Sequence, residues 1–139
     1  MKKFFKNKTV IVTGHTGFKG SWLTLVLLNL GARVVGISND IPTKPAFFQI
    51  LKLNKKIKDL RADVRDLKII KKILMRYKPD YIFHLAATIG VDTVIKNPLY
   101  VLNNNYLSTL SVIKFAQKQK RLKKLFFTST SEIYSGSFK

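Results

Sequence analysis

The sequence predicts an α/β domain with a doubly wound parallel sheet of about five strands, and three observations carry that reading. Short apolar, β-branched segments alternate with longer segments of helical periodicity along the whole chain. The first such segment, Thr9 to Val12, runs straight into Gly14, Gly17 and Gly20, three glycines spaced three apart. A helical pattern follows them directly, from about Phe18 to Leu30, and closes at Gly31, a plausible C-cap.

The remaining elements follow in order. Arg33 to Ser38 reads as a second strand and Ile57 to Ala62 as a third. Between them, Asn39 to Phe48 with Pro42 and Pro45 is the one irregular connection of note. Arg65 to Arg76 is a helix with Leu67, Ile70, Ile73 and Leu74 on one face, and Tyr81 to Leu85 is a fourth strand. A long helix from about Pro98 to Gln119 counts Leu102, Tyr106, Leu110, Ile113 and Phe115 among its apolar positions, and Lys124 to Thr128 is the fifth strand. Right-handed crossovers between such strands give a sheet wound in both directions from its centre.

The glycines carry the chemistry. A strand that ends at Gly14 must turn tightly, and Gly17 and Gly20 lack side chains where a pyrophosphate needs close backbone approach and where the next helix must pack on the strand. The first-turn N–H groups and the helix dipole would face the anion, with Thr16, Phe18 and Lys19 in the same loop. The end of the second strand, Ser38 and Asn39, should then approach the adenosine ribose. Asp40 lies twenty residues beyond Gly20, where a carboxylate would bond both ribose hydroxyls and repel a 2′-phosphate. That favours NAD, with NADP still open. Asp40 has a second reading as a turn residue ahead of Pro42.

Composition excludes several other classes. A hydrophobic content of 46% over 139 residues supports one globular domain with a real core, expected in the cytoplasm. No apolar run reaches the roughly eighteen residues of a membrane span, and the basic start has no apolar region of signal-peptide type. The absence of cysteine removes disulfides and thiolate metal sites, and no histidine–carboxylate spacing suggests a metal. The net charge of +19 raises nucleic-acid binding as an alternative. Its lysines outnumber arginines 21 to 5 and are scattered rather than interleaved with aromatics, so no nucleic-acid partner and no membrane partner are expected.

Five motifs in order then carry a resemblance over essentially the whole chain. They are the glycine loop, Asp63-Val64 after the third strand, His84-Leu85-Ala86-Ala87 closing the fourth, Asn104 in the long helix, and Thr128 to Tyr134 closing the fifth. Together they resemble the extended short-chain dehydrogenase/reductase family, whose fold is the Rossmann fold and whose members include NAD-dependent nucleotide-sugar epimerases, dehydratases and decarboxylases. The first half is most similar to the CDP-glucose 4,6-dehydratase branch. Thr130-Ser131-Glu132 instead resembles GDP-mannose dehydratases and UDP-glucuronate decarboxylases, and Ile89 to Asp92 with Asn97-Pro98 looks epimerase-like.

The resemblance implies roles residue by residue. Asp63 and Val64 would hold the adenine edge; Leu85, Ala86 and Ala87 would line the trough beside phosphates and nicotinamide ribose; Asn104 would support the site, with Thr128 at the fifth strand's end. Thr130, beside Ser131, would bond the sugar's 4-oxygen, and Glu132 would take the C5 proton in a dehydratase. Thr128 to Ser131 also reads as an ordinary strand end that caps the next turn. His15 and His84 are expected to be structural or cofactor-adjacent. The family's acid/base tyrosine is followed by a lysine four residues on, and no tyrosine of this sequence has one there. The expectation is therefore the amino-terminal, cofactor-binding portion of a nucleotide-sugar dehydratase, ending before the substrate lobe. A dinucleotide-binding module without turnover, and an interaction remnant that self-associates into a homodimer through its sheet edge, are the alternatives.

Overall fold

A computed structural model describes residues 2–130. Five parallel strands form one sheet: β1 (Thr9–Thr13), β2 (Arg33–Ser38), β3 (Lys58–Arg61), β4 (Tyr81–His84) and β5 (Lys124–Phe127). Their order is β3-β2-β1-β4-β5, so the chain moves outward one way from β1 and then returns to cross to its other side. The reversal between β1 and β4 is the point where such sheets open a crevice at the carboxyl ends of their strands.

The helices cover both faces, which is why β1 is apolar at consecutive rather than alternate positions. Val10 and Val12 pack with Leu27 of α2 (Phe18–Asn29), with Phe5 of α1 (Lys2–Phe5) against the same cluster. Ile11 points the other way, into a cluster with Ile70, Ile73 and Leu74 of α4 (Leu67–Tyr77) and Val112, Phe115 and Ala116 of α6 (Pro98–Ala116). Asp66 caps α4, its carboxylate accepting from the N–H groups of Lys68 and Ile69.

Element order and type agree with the sequence, and the differences have local causes. The irregular β2–β3 connection contains a short helix, α3 (Phe47–Ile50), anchored by the fully buried Phe48. A further short helix, α5 (Val91–Lys96), precedes α6 and was not expected. Leu67 opens α4 at its exposed end rather than on its buried face. On α6, Leu102, Tyr106, Leu110 and Ile113 are exposed, and only Phe115 of the expected apolar set is buried. Ser108 and Ser111 face inward instead. Small side chains let α6 come close enough for the Ser111 hydroxyl to share its proton between the Leu107 carbonyl of its own helix at 2.8 Å and the Arg65 carbonyl at 3.1 Å.

At the amino ends of the strands, Asp80 ties three of them together. Its carboxylate accepts from the Thr9 N–H at 2.8 Å and from Arg121 at 3.1 and 3.3 Å, and its carbonyl accepts from the Lys123 N–H. Burial pushes the Asp80 carboxyl upward, but these donors outweigh it and hold the group below its ordinary value. Its contribution to stability is thus complete above the ordinary carboxylate range and is lost as pH falls through the lower folded-state value. Asp80→Ala should cost about 2 kcal/mol in urea unfolding at neutral pH, and that deficit should shrink in acid below about pH 4.

Candidate functional site

The carboxyl ends of the strands open into a groove of about 870 Å³ between the β1–α2 loop, the ends of β2, β4 and β5, and α6. Its floor begins at Gly14, which has φ +70°; a Cβ there would press on the backbone of Leu85 and Ala86 at 2.8 to 3.0 Å. A Cβ at Gly20 would overlap the Gly14 carbonyl, so α2 can start against β1 only with glycine at that place. Gly17 differs: its conformation suits any residue, and the nearest atom to a Cβ would be the Gly14 oxygen at 3.4 Å. No protein packing demands its lost side chain, whereas a ligand lying on the loop would. Gly17 is also the N-cap of α2, and no side chain caps that helix. Open N–H donors, positive dipole and bare backbone at one place fit a phosphate group.

The other candidate residues gather around this loop. Phe18 and Lys19 are exposed at the start of α2, and Ser38, Asn39 and Asp40 line the groove at the end of β2. Asp63 and Val64 follow β3, Leu85, Ala86 and Ala87 follow β4, Asn104 reaches in from α6, and Thr128 and Thr130 follow β5. Ser131 and Glu132 lie outside the described residues. Some polar atoms already have protein partners. The Thr16 hydroxyl donates to the Asp40 carbonyl at 2.6 Å, and the Ser38 hydroxyl pairs with His15 Nδ1 at 3.1 Å. Arg65 grips the Asp63 carboxylate through its N–H, Nε and Nη2 at 2.6 to 3.0 Å and holds that carboxyl below its ordinary value. An adenine amino group at Asp63 would share the carboxylate with this fork.

Two histidines support the groove, and both are buried. His15 fills the space above Gly36, where any Cβ would enter its ring, and its Nε2 meets Asp59 Oδ1 at 2.9 Å. Burial lowers its pKa against the opposing pull of Asp59. His84 bridges Thr13 Oγ1 at 2.8 Å and Thr109 Oγ1 at 3.3 Å. Thr13 Oγ1 already accepts from the N–H groups of Leu85 and Ala86, so its own proton goes to His84 Nδ1. That fixes a neutral imidazole whose Nε2–H faces Thr109, and burial lowers its pKa to about 4.

Sequence reasoning missed several contributors, among them Thr13, Gly36, Asp59 and Asn105. Asn105 accepts from the Thr88 N–H at 2.7 Å and donates to its carbonyl at 3.0 Å, while Asn104 donates to the Thr88 hydroxyl at 2.6 Å. The two asparagines together fasten the β4–α5 loop to α6. Gly36 did leave a signal, since a glycine inside a buried strand marks a close approach. Among the described residues no cluster of His, Asp or Glu could hold a metal ion. No described helix is long and apolar enough to cross a membrane.

A glycine-bearing strand-to-helix turn at the reversal point of a parallel sheet defines a nucleotide-binding domain of the Rossmann type. A family model described as GDP-mannose 4,6 dehydratase matches residues 11–138. The chain belongs to that family, the NAD-dependent epimerases and dehydratases of the extended short-chain dehydrogenase/reductase type. It is 34% identical over 133 residues to the CDP-glucose 4,6-dehydratase of Salmonella typhimurium, covering 96% of this chain and 37% of that one. It is 32% identical to the UDP-glucuronate 4-epimerase of Thermodesulfobacterium geofontis, over 91% of this chain and 40% of that one. The UDP-glucose 4-epimerase of Bifidobacterium longum, solved with NAD+ and UDP, superposes with a TM-score of 0.80 at 29% identity, covering 91% of this chain and 38% of that one. The chain thus spans about two fifths of the length of these relatives.

Two outcomes test the geometry. Gly36→Ala should destabilise the fold by about 3 kcal/mol in urea unfolding, because the new methyl meets a buried ring rather than a flexible chain. The His84 ring resonances should show no titration between pH 5 and 8. Since the folded-state value lies below the ordinary 6.5, stability linked to His84 is complete above pH 6.5 and falls as pH drops toward 4.

Proposed function

We propose that this chain binds NAD in the carboxyl-end groove as the cofactor portion of a nucleotide-sugar 4,6-dehydratase of the CDP-glucose type. The observation that carries the cofactor half is the bare, uncapped loop at Gly17, with Gly14 and Gly20 closing the backbone beneath it. Its pyrophosphate would lie on the N–H groups that open α2, near the Lys19 ammonium. The adenosine ribose would meet Asp40 and the adenine Asp63 and Val64, while Leu85, Ala86 and Ala87 leave room beside the nicotinamide ribose. NAD bound there supplies a hydride acceptor that becomes a donor later in the cycle.

The dehydratase reading draws support from the CDP-glucose 4,6-dehydratase relative and the description of the matching family model. In that reading Thr130 bonds the sugar's 4-oxygen. The Glu132 carboxylate, the chain's single glutamate, takes the proton from C5 once C4 is oxidised and hands it to the departing C6 hydroxyl, which leaves as water. A second reading, epimerase or decarboxylase, draws on the UDP-glucuronate 4-epimerase and on a UDP-N-acetyl-alpha-D-glucosaminuronate decarboxylase of Bacillus cytotoxicus, 31% identical. The structures of the groove proposed here are common to both readings, and the tyrosine–lysine pair of the family is not in this sequence.

Calorimetry tests the cofactor half directly. The chain should bind NAD, and Gly17→Val, whose Cβ would meet only the Gly14 oxygen at 3.4 Å and whose side chain would stand in the ligand's place, should weaken binding more than tenfold while leaving thermal stability within a few degrees. Undiminished affinity in that variant would remove the loop from the site. The assignment to a nucleotide-sugar enzyme is tested by the coding sequence that follows codon 139: a Tyr-x-x-x-Lys in any frame supports it under either reading, and unrelated sequence counts against both.

A further inference from the structure

Five residues from three separate segments close a ring of hydrogen bonds beneath the groove. Thr16, in the glycine loop, donates to the Asp40 carbonyl at 2.6 Å, and Arg61 Nη1 donates to the same oxygen at 3.1 Å. Arg61 Nη2 donates to Asp59 Oδ2 at 2.8 Å, and His15 Nε2 meets Asp59 Oδ1 at 2.9 Å. His15 precedes Thr16 in the glycine loop, so the ring returns to its start. Because the Asp59 carboxylate only accepts, the imidazole donates through Nε2 and its Nδ1 accepts the Ser38 proton. The glycine loop, the turn after β2 and strand β3 are thereby held in one arrangement.

Arg61 is the joint of this ring that reaches the ribose turn. Its guanidinium lies 5.3 Å from the centre of the buried Phe48 ring, and its Asp59 partner balances its charge. It does not itself line the groove. The sequence offered no arginine at the end of β2; the fold brings one there from β3, twenty-one residues past Asp40, and turns it onto main chain.

We propose that Arg61 is a positioning residue of the cofactor site, which bridges Asp59 and the Asp40 carbonyl and so fixes the ribose-reading turn against the phosphate loop, for NAD and NADP alike. It rests on the cofactor reading above. A planar fork suits the task because two acceptors on different segments must be reached at once, which a single ammonium does poorly. An arginine that served as a ligand of a 2′-phosphate would behave differently, since its loss would fall on NADP alone.

Calorimetry with NAD and with NADP on the 139-residue chain, Arg61→Gln and Arg61→Lys tests this. Arg61→Gln should weaken both cofactors by about tenfold and leave their ratio within about twofold of the parent's, and Arg61→Lys should recover only part of the loss. Arg61 is partly exposed on an edge strand, so both variants should melt within a few degrees of the parent. Unchanged NAD affinity in Arg61→Gln, or a loss confined to NADP, overturns the proposal while leaving the cofactor reading intact. Failure of the parent chain to bind either cofactor overturns both.

Discussion

The structure depends on one close approach, the start of α2 against the end of β1. Gly20 has no room for a Cβ because the Gly14 carbonyl stands in its place. That contact sets the angle at which α2 leaves the sheet, brings Leu27 over Val10 and Val12, and aims the first-turn N–H groups across the strand ends. The core beneath α2 and the shape of the glycine loop above it are therefore two consequences of the same packing constraint. Larger side chains at these glycines would disturb both.

Polar groups are divided between the two ends of the sheet by purpose. At the amino end Asp80 and Arg121 stitch β1, β4 and β5 with a compact ion pair that is half exposed on the arginine side. At the carboxyl end the buried polar groups are almost all committed to one another: His84 with two threonines, His15 with Ser38 and Asp59, and Asn104 and Asn105 with Thr88. Such networks hold backbone rather than ligand, and they are expensive unless complete. What they leave uncommitted are the N–H groups of the first turn of α2, and that is where a phosphate would find donors.

The strands and long helices were legible because each carries its period in full. The continuous apolar run of β1 and the glycine spacing are local facts. The inward face of α6 was not, because it packs through Ser108 and Ser111, which a search for large apolar residues passes over. The candidate groove residues could be named because each stands at the end of a strand. Their supports could not, since Asp59 and Arg61 point toward the loop only once β3 has paired with β2, Gly36 opposite Asp59 and Ser38 opposite Arg61. The +19 charge, conspicuous in the sequence, bears on this groove only through a few groups such as Lys19.

The central claim is that one end of the sheet, and not the other, receives a dinucleotide. A second, more open cavity of about 600 Å³ lies at the amino ends of the strands and is rich in cations, among them Lys56, Lys58 and Lys78, so charge alone would favour an anion there. Hydrogen–deuterium exchange with and without saturating NAD separates the two. Protection should appear in the β1–α2 loop, the turn after β2 and the segment after β4, with the stretch from Arg76 to Lys78 unchanged; protection confined to that stretch, or none anywhere, would contradict the account.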